Sequence, residues 1–409
     1  MQQLLILLLV QIVLSISINN IDSIIQRPLL DDDDVMWRDA RELTMGGLAP
    51  FSEKREEPYD RLPLAAKATV TSGVWTQAIE SAGVYAEFVT DASAIYINYT
   101  LVNSNLNFWN MDTGIIIVII IIIILLSPLS LIVGGVSSAD LLAYDIETKM
   151  YRWVTTWGIN VAPHYPNNTG LLVDGLVFKE PTLFRLNFPL YNRVSNFKIG
   201  VPSNTKIFTQ NTQKVAQKSK TIVYYGTSIA QGKAASIPSS GYINQLDASN
   251  YPRYNFFNFG FSSNGKMDLN VMAFLNEIPS VDMFIIDCLP NMNYTEVANN
   301  TIPLVKSIRE THTDTPTLPI VLVESTIYGF EWWDPVFKSN QQKKRDTLKA
   351  QYDELIAQGY TGIYYVKGDD IIAPQEISVS YKVDGTHPND LGMRKMFDFW
   401  NKYLNVFEF

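Results

Sequence analysis

The second half of the chain alternates between strand-like and helix-like hydrophobic patterns, and this alternation restricts the possible folds more than any other feature. After the polar bridge "TQNTQKVAQKSK", apolar runs such as "TIVYYG", "FFNFG", "VDMFIIDCL" and "PIVLVES" alternate with amphipathic segments of helical length, for example 267–278 and 341–358. Strands that are joined by helices require right-handed crossovers and form a parallel sheet covered on both faces. We therefore predict a three-layer α/β domain over residues 218–409.

The first half has a different pattern, which predicts an all-β sandwich or jelly roll over residues 35–215. Short runs of β-branched and aromatic residues, as in "YAEFVTDASAIYINYTLV" and "LFRLNFPLY", are separated by Gly, Pro and Asn turns. A length of 409 residues agrees with two domains. The net charge of −9, without clusters of Lys, Arg and aromatic residues, argues against a nucleic-acid partner.

The N-terminus predicts that the protein is exported. The apolar run "LLILLLVQIVL" is followed by small and polar residues and has the length of a signal peptide, which we place at residues 1–18. Four N-x-T sequons, at Asn98, Asn167, Asn293 and Asn299, agree with a glycosylated chain. We expect a secreted protein, or one in the lumen of the secretory pathway, with an uncleaved membrane anchor as the alternative.

One segment, residues 115–135, fits neither domain. It lies within "GIIIVIIIIIILLSPLSLIVGG", and as a helix its apolar part would be about 28 Å long, close to the roughly 30 Å of a bilayer core. A membrane span would place Asn98 and Asn167, both in the predicted β-domain, on opposite sides of a membrane. Three interpretations stay open: a retained intron or gene-model error, a real membrane span, and a buried low-complexity insert.

The loop after the first strand of the α/β domain has two chemical interpretations. In "YYGTSIAQGKAAS" a phosphate-binding loop would need four residues between its glycines, but five separate Gly226 from Gly232, and Ala234 stands where a Ser or Thr is required. A nucleophilic serine would instead need a base, an orienting carboxylate and oxyanion donors from elsewhere in the chain. The second interpretation therefore depends on the histidines.

The chain has three histidines, so few residues can serve as the base. His164 and His312 stand in polar segments, and we predict that both are solvated loop residues. His387 follows Asp384 by three residues in "VDGTHPND", where the carboxylate can fix the tautomer of the imidazole. The alternative is that Asp384 caps a turn while His387 lies on the surface.

The α/β half resembles the SGNH or GDSL-type serine hydrolases, in four blocks that occur in the family's order. The first block matches "YYGTSIAQG", although "GTS" replaces the usual "GDS", and the last block, D-x-x-H, matches "DGTH". The resemblance implies a flavodoxin-like SGNH fold, Ser228 as nucleophile, and Asp384 and His387 as its acid–base partners. It also implies ester hydrolysis without a metal or a cofactor.

The two middle blocks imply the oxyanion donors. "CLPNM" gives Asn291, whose side-chain amide is a donor in the family, although the flanking Gly and Asp of the usual motif are absent. "NFGFSSNG" places Ser263 where the family supplies a backbone N–H, with Gly260 and Gly265 as alternatives. The backbone N–H of Ser228 is the third donor that the resemblance implies.

The β-rich half resembles the N-terminal module that precedes a subgroup of SGNH-type esterases. The similarity rests on "PYDRLP", "SSADLLAYD" and "FPLYNRVSNFKIGV". The second of these motifs usually contains G-x-D-L-Y, and here it reads "SADLLAY". Together the two resemblances cover nearly all of the chain after Val35 except the isoleucine-rich insert.

These patterns predict a secreted serine esterase that acts on ester-linked acyl groups of a small molecule or a polysaccharide, with O-acetyl groups on carbohydrate as a candidate. The alternatives are a lipid or thioester acylhydrolase, and a catalytically silent glycan-binding or tethered protein. Membrane contact is expected only if the isoleucine-rich segment is present in the mature chain. Trp332 and Trp333 are either the floor of a sugar or acyl pocket or ordinary packing residues. Glu324 is either on the rim of the site or a helix cap.

Overall fold

The computed structural model describes residues 34–104, 134–157, 165–208, 218–377 and 382–407. The predicted signal peptide and His164 lie outside these ranges, as does the isoleucine-rich insert except for its last two residues. Among the helices of the described ranges, none combines the length and the hydropathy of a membrane span.

The N-terminal half forms two antiparallel sheets. Its strands are β1 Val35–Asp39, β2 Thr44–Gly46, β3 Tyr85–Thr90, β4 Ile95–Leu101, β5 Asp140–Asp145, β6 Met150–Thr156, β7 Asn167–Val173, β8 Thr182–Asn187, β9 Val194–Pro202 and β10 Ile207–Phe208. One sheet has the order β1-β9-β4-β7, and the other has the order β10-β3-β8-β5-β6 with β2 beside β3. The prediction of an all-β N-terminal domain is confirmed.

Aromatic residues of both sheets form the core of this domain. Tyr99 and Phe197 of the first sheet stack with ring centroids 5.0 Å apart, and Phe88 and Phe184 of the second sheet stack at 5.6 Å. All four belong to one buried hydrophobic cluster. The period-2 alternation of these strands therefore places one face of each sheet in a shared core.

The C-terminal half contains a parallel sheet of five strands. They are β11 Lys220–Gly226, β12 Tyr254–Gly260, β13 Met283–Asp287, β14 Ile320–Val323 and β15 Ile363–Val366. Their order is β12-β11-β13-β14-β15, and every pairing is parallel. This 2-1-3-4-5 arrangement is that of the flavodoxin-like doubly wound sheet. The predicted α/β class is confirmed.

Helices cover both faces of the parallel sheet. Counting along the whole described chain, the α-helices are α1 Ser72–Ala78, α2 Gly134–Ser137, α3 Ser228–Gln231, α4 Tyr242–Ser249, α5 Leu269–Leu275, α6 Tyr294–Thr311, α7 Pro335–Ala357, α8 Gly368–Ile371, α9 Pro374–Ile377 and α10 Asp390–Val406. Ile222 and Tyr224 of β11 are buried with residues of α4 and α10, whereas Val223 and Tyr225 are buried with residues of α5, α6 and α7. The alternation along one strand thus separates two cores, one on each side of the sheet.

The two halves of the chain share a hydrophobic core, and the sheet with β3 and β8 packs against the second domain. Val74 and Trp75 of α1 are buried in the same cluster as Phe259 of β12 and Met272 of α5. Strands β3 and β8 of the N-terminal half are buried at all six positions, because their outer face also packs against the second domain. Sequence alternation alone would have placed that outer face in water.

Candidate active site

The loops after β11, β12 and β13 leave the same edge of the sheet, because Gly226 is in register with both Gly260 and Asp287. In doubly wound sheets this carboxyl edge is where ligands bind. Ser228 opens α3 directly after β11, and it is only 6% exposed. Gly232 ends α3 with φ +100°, and a Cβ there would lie 2.8 Å from Leu190 Cδ1. The turn that presents Ser228 therefore requires glycine at its far end.

The structure brings Ser228, His387 and Asp384 together. Ser228 Oγ lies 2.8 Å from His387 Nε2, and His387 Nδ1 lies 2.7 Å from Asp384 Oδ2. The other carboxylate oxygen, Oδ1, accepts the backbone N–H groups of Thr386 at 3.0 Å and His387 at 2.8 Å. The carboxylate is thus fixed by its own loop, and the imidazole is oriented with one nitrogen on the serine.

The loop with Asp384 and His387 rests on the loop that follows β14. The N–H of Gly329 donates to the carbonyl of Gly385 at 2.8 Å. Gly385 has φ +76°, and a Cβ there would lie 2.5 Å from the ring of Phe330. Within the hydrolase domain, the chain between β14 and α7 therefore determines where the acid–base loop lies.

The last residue of β12 and the loop after it provide the three residues considered as backbone oxyanion donors. Two of their N–H groups are already used, because Gly260 donates to Asn258 Oδ1 at 2.9 Å and Gly265 donates to the carbonyl of Phe261 at 2.9 Å. Ser263 has φ +60°, and within the described chain we find no partner for its N–H. The hydrogen bonds of this loop therefore leave Ser263 as the available donor of the three.

Asn291 reaches the same loop from the end of β13. It lies in the short 3-10 helix Leu289–Asn291, and its Nδ2 donates to the carbonyl of Phe261 at 3.2 Å. A side-chain amide carries two N–H donors, so this bond orients the group and leaves its second hydrogen. Asn291 and Ser263 are thus held around Phe261, next to the turn with Ser228.

Two family models match the chain. The GDSL-like lipase/acylhydrolase family matches residues 219–405, and the N-terminus of SGNH hydrolase-type esterases, named GxDLY, matches residues 35–114. Residues 219–405 thus form a domain of the SGNH/GDSL-type hydrolases, preceded by the N-terminal module of SGNH-type esterases, and this makes the protein an ester-bond hydrolase. The GxDLY match ends before "SADLLAY", so the weaker resemblance of that motif stays a prediction.

Solved structures agree with this assignment. A protein described as a GDSL-like lipase from Bacteroides ovatus ATCC 8483 is 26% identical, with 91% of this chain and 97% of that chain covered and a TM-score of 0.77. The salicylyl-acyltransferase SsfX3 from a tetracycline biosynthetic pathway (17% identity, 93% and 96% covered, TM-score 0.64) and a family two carbohydrate esterase from Cellvibrio japonicus (12%, 91% and 97%, 0.51) share the fold. Among curated proteins, none matches the chain.

The SGNH hydrolase domain also contains two ionisable groups with shifted pKa values that the sequence patterns did not single out. Asp287, the last residue of β13, accepts the hydroxyl of Tyr224 at 3.0 Å, and burial raises its pKa to about 7. Lys382, before the acid–base loop, donates to Thr326 Oγ1 at 2.9 Å, and burial lowers its pKa to about 7. The signal for Asp287 was a carboxylate at the end of the apolar run "MFIID".

The N-terminal half of the hydrolase contacts the turn with Ser228 directly, which the sequence did not predict. The hydroxyl of Tyr191 donates to the backbone carbonyl of Ser228 at 3.1 Å. Gln231, at the end of α3, donates through Nε2 to the carboxylate of Glu80. Tyr191 lies in "FPLYNRVSNFKIGV", one of the motifs of the family resemblance, and this was the available signal.

The remaining predicted residues lie in varied places. Trp332 and Trp333, on the loop that supports Gly385, are 85% and 56% exposed, so they are not core residues. Glu324 accepts the N–H of Gly368 at 3.1 Å, at the start of α8, and thus acts as a cap. His312 is half-buried against the ring of Phe284, with 5.5 Å between ring centroids, so it is not fully solvated. Within the described ranges, no three His, Cys, Asp or Glu side chains are grouped as metal ligands.

Proposed function

We propose that this hydrolase is a serine esterase that cleaves ester-linked acyl groups through Ser228, His387 and Asp384. The contact of Ser228 Oγ with His387 Nε2 at 2.8 Å, continued to Asp384 at 2.7 Å, is the observation that supports the proposal. A hydroxyl at hydrogen-bond distance from an oriented imidazole is the arrangement that activates a serine as a nucleophile.

The reaction then follows in two steps. His387 takes the proton of Ser228 while Oγ attacks the ester carbonyl, and it returns that proton to the leaving alcohol. The N–H groups of Ser228 and Ser263 and the amide of Asn291 stabilise the oxyanion, and one such donor is typically worth about 2.7 to 4 kcal/mol. His387 next takes a proton from the water that attacks the acyl-enzyme, and it passes that proton to Ser228 Oγ as the ester bond breaks and the acid leaves. Asp384 keeps the imidazole in one tautomer and stabilises its charged form.

We further propose that the alcohol part of the substrate is a carbohydrate with O-acyl, such as O-acetyl, groups. The loop that holds Gly385, between Asp384 and His387, exposes two neighbouring indoles, Trp332 and Trp333. The flat face of an indole matches the C–H face of a pyranose ring, and large exposed aromatic surfaces are uncommon without a binding role. The fold that the chain shares with a carbohydrate esterase agrees with this substrate class.

We also propose that the protein is exported and N-glycosylated. Three of the four sequons, at Asn167, Asn293 and Asn299, are exposed, whereas Asn98 is half-buried in β4 between β7 and β9. We therefore expect glycans on the first three and none on Asn98. Secretion from eukaryotic cells followed by peptide-N-glycosidase treatment and mass spectrometry tests this expectation. Protein that stays in the membrane fraction would instead support the anchored alternative.

Hydrolysis of p-nitrophenyl acetate, octanoate and an acetylated oligosaccharide tests the proposed activity. We expect a preference for short acyl chains, and turnover that is lost in both Ser228→Ala and His387→Ala. His312→Ala is the matched control, because this histidine contacts Phe284 outside the site and its loss leaves turnover unchanged. Preference for octanoate would favour the lipid acylhydrolase, and a folded wild type without turnover would favour the silent binding protein.

The carbohydrate proposal has its own test within the same assay. Trp332→Ala and Trp333→Ala should raise KM for the acetylated oligosaccharide while the kinetics with p-nitrophenyl acetate stay unchanged. The exposed Val336, 70% exposed on α7 a few residues later, provides a control through Val336→Ala. Equal kinetics of all four proteins on both substrates would refute a sugar-binding role of the indoles.

A further inference from the structure

Arg61 is a buried residue of the N-terminal half that binds the strand leading to the oxyanion loop. Its guanidinium makes four hydrogen bonds, all to backbone carbonyls: Nε to Glu80 at 2.8 Å, Nη2 to Gln77 at 2.5 Å, and Nη1 to Asn258 at 2.9 Å and Gly260 at 2.8 Å. The side chain is 1% exposed. Burial lowers its pKa to about 10, so the guanidinium remains charged at neutral pH.

The two carbonyls bound by Nη1 belong to an open sheet edge. Strand β12 is the outermost strand of the parallel sheet, with β11 on its other side. Asn258 and Gly260 are two residues apart, so their carbonyls point the same way along that strand, away from β11. Arg61 thus occupies the place where a further strand would pair, at the end of β12 from which the loop with Ser263 departs.

The same side chain also contacts the first residue of the loop. The Cζ atom of Arg61 lies 5.2 Å from the ring centroid of Phe261, within the range of a cation–π contact. The carbonyl of Phe261 accepts the amide of Asn291, and its N–H donates to Gly226 at 3.0 Å. Arg61 therefore holds the residue through which the two oxyanion donors, Asn291 and Ser263, are connected to the nucleophile strand.

A second arm runs from the same part of the N-terminal half to the other side of the loop. Gln231 of α3 donates to Glu80 and accepts the N–H of Ser262 through Oε1 at 3.0 Å. Ser262 directly precedes Ser263. The chain from residue 61 to residue 80 thus fixes both the strand before the loop and the helix that begins with Ser228.

We propose that Arg61 is a positioning residue for catalysis, supplied by the N-terminal domain, which sets the distance between the Ser263 N–H and Ser228 Oγ. The inference rests on the proposed serine esterase function. Arg61 touches neither substrate nor reacting atoms, and it acts through Gly260 and Phe261. Because oxyanion donors contribute chiefly in the transition state, a change at Arg61 affects kcat much more than KM.

Arg185 offers a matched control at the opposite end of the same strand. It is also 1% exposed and also crosses from the N-terminal half, where it binds Glu87, to Asp247 of α4 with Nη1 2.7 Å from Oδ2. Asp247 in turn accepts the N–H of Phe256 near the start of β12. Both arginines therefore join the two domains through β12, but only Arg61 adjoins the oxyanion loop.

The experiment compares Arg61→Lys with Arg185→Lys in the full-length protein, at a temperature where circular dichroism shows both to be folded. A lysine ammonium cannot span four carbonyls in a planar fork, so we expect Arg61→Lys to lower kcat about tenfold or more with KM nearly unchanged. Phenylboronic acid forms a tetrahedral adduct with a nucleophilic serine, and Arg61→Lys should weaken the binding of this inhibitor by a similar factor. Arg185→Lys should lower the melting temperature, but its kcat and its affinity for phenylboronic acid should stay within about twofold of the wild type.

Equal kinetics of Arg61→Lys and the wild type, or equal losses in both variants, would overturn the proposal. If Arg61→Lys does not fold, Gln231→Met tests the second arm, since it removes the hydrogen bonds of the Gln231 side chain to Glu80, Ser262 and the carbonyl of Leu190 and keeps its length. A kcat within about twofold of the wild type in that variant also overturns the proposal. Wild-type turnover that is independent of Ser228 would instead refute the proposed function itself, so the two failures are distinguishable.

Discussion

The two halves of the proposed active site are supported by different parts of the chain. The acid–base half, with Asp384 and His387, rests on Gly329, which belongs to the hydrolase domain itself. The nucleophile and oxyanion half receives hydrogen bonds from the N-terminal domain, through Tyr191 and Arg61. The first half is therefore intrinsic to the SGNH domain, whereas the geometry of the second depends on a neighbouring domain. Substitutions in the first half should therefore disturb contacts within the SGNH domain, and substitutions in the second half should disturb contacts between the two domains.

The largest effect is expected in the acid–base half, for Gly385→Ala. The substitution places a Cβ at φ +76° and 2.5 Å from the ring of Phe330, so the loop must move. A displacement of about 1 Å can cost about 100-fold in kcat, and we expect a loss of that size together with about 1 to 3 kcal/mol of stability. Steady-state kinetics and chemical denaturation measure the two effects.

Gly359→Ala is the control for this substitution. Gly359 has φ +86° at the end of α7, and a Cβ there meets nothing within 4 Å. It shares the unfavourable φ without the contact, so it should lose about 1 kcal/mol of stability and keep its kcat. If Gly385→Ala behaves like Gly359→Ala, the packing of Phe330 does not position the acid–base loop.

A smaller effect is expected in the other half, for Tyr191→Phe. The change removes the hydroxyl that donates to the carbonyl of Ser228 and leaves the ring in place. We expect about 1 kcal/mol of lost stability and a decrease in kcat of about two- to fivefold, because the neutral hydrogen bond to Ser228 is lost. Tyr99→Phe removes a comparable buried hydrogen bond, to the carbonyl of Ser137 inside the N-terminal domain. It should reproduce the stability loss without the kinetic one, and a kcat loss in both would contradict the comparison.

The residues of the intrinsic half were accessible from the sequence, because their relationship is local. Asp384 and His387 are three residues apart, and the family pattern includes that spacing. The parallel sheet with helices on both faces followed from the alternation of strands and helices, which leaves few possible topologies. Ser263 could not be separated from Gly260 and Gly265, because the choice depends on which N–H groups the folded loop itself uses.

The contacts that support the dependent half were not accessible from the sequence, because the residues that make them are distant from each other in the sequence. Arg61 and Gly260 are 199 residues apart, and no periodicity connects them. Glu87 and Arg185 also lie where strand alternation predicts solvated side chains, yet both are buried because the hydrolase domain covers that face. A family motif marked Arg61 as part of "PYDRLP", but only the fold shows what it binds.

Asp287 lies between the two halves and gives a prediction on pH. Burial raises its pKa from 3.8 to about 7, against the opposing effect of Lys382, while Tyr224 of the nucleophile strand donates to it. The folded protein therefore keeps a proton on Asp287 between about pH 4 and pH 7 that the unfolded chain releases. Through this group the free energy of unfolding falls as pH rises across that window, by at most about 1.4 kcal/mol per unit.

Asp287→Asn should remove this dependence. We subtract the unfolding free energy of the wild type from that of the variant. This difference should increase progressively as pH rises from 4 to 7 and should change little below pH 4. Urea unfolding at several pH values measures the difference. Asp140, whose pKa burial raises to about 6, is a control, because Asp140→Asn should show the same trend over a narrower window. Parallel curves for wild type and Asp287→Asn would contradict a buried neutral carboxyl group.

The smallest effect is expected for removal of the isoleucine-rich segment, and it tests how independent the N-terminal support of the site is. The described chain on both sides of that segment converges on Asn192. The N–H of Asn103 donates to Asn192 Oδ1 at 3.0 Å, and Asn192 Nδ2 donates to Ser137 Oγ at 3.1 Å. A shorter connection can therefore join the two sides without moving Asn192 or the neighbouring Tyr191.

The deletion should cover residues 115–134 and spare Gly135, because its carbonyl accepts the N–H of Leu190 at 3.0 Å. Loop-closure entropy changes slowly with length, so we expect unfolding free energy within about 1 kcal/mol of the full chain and an unchanged kcat. If the full-length protein is active and the deletion variant is not, the segment supports the turn at Tyr191. A tryptic peptide from the segment in secreted mature protein would exclude the retained intron, and equal activity of both forms would then identify the segment as an insert that the nucleophile half does not need.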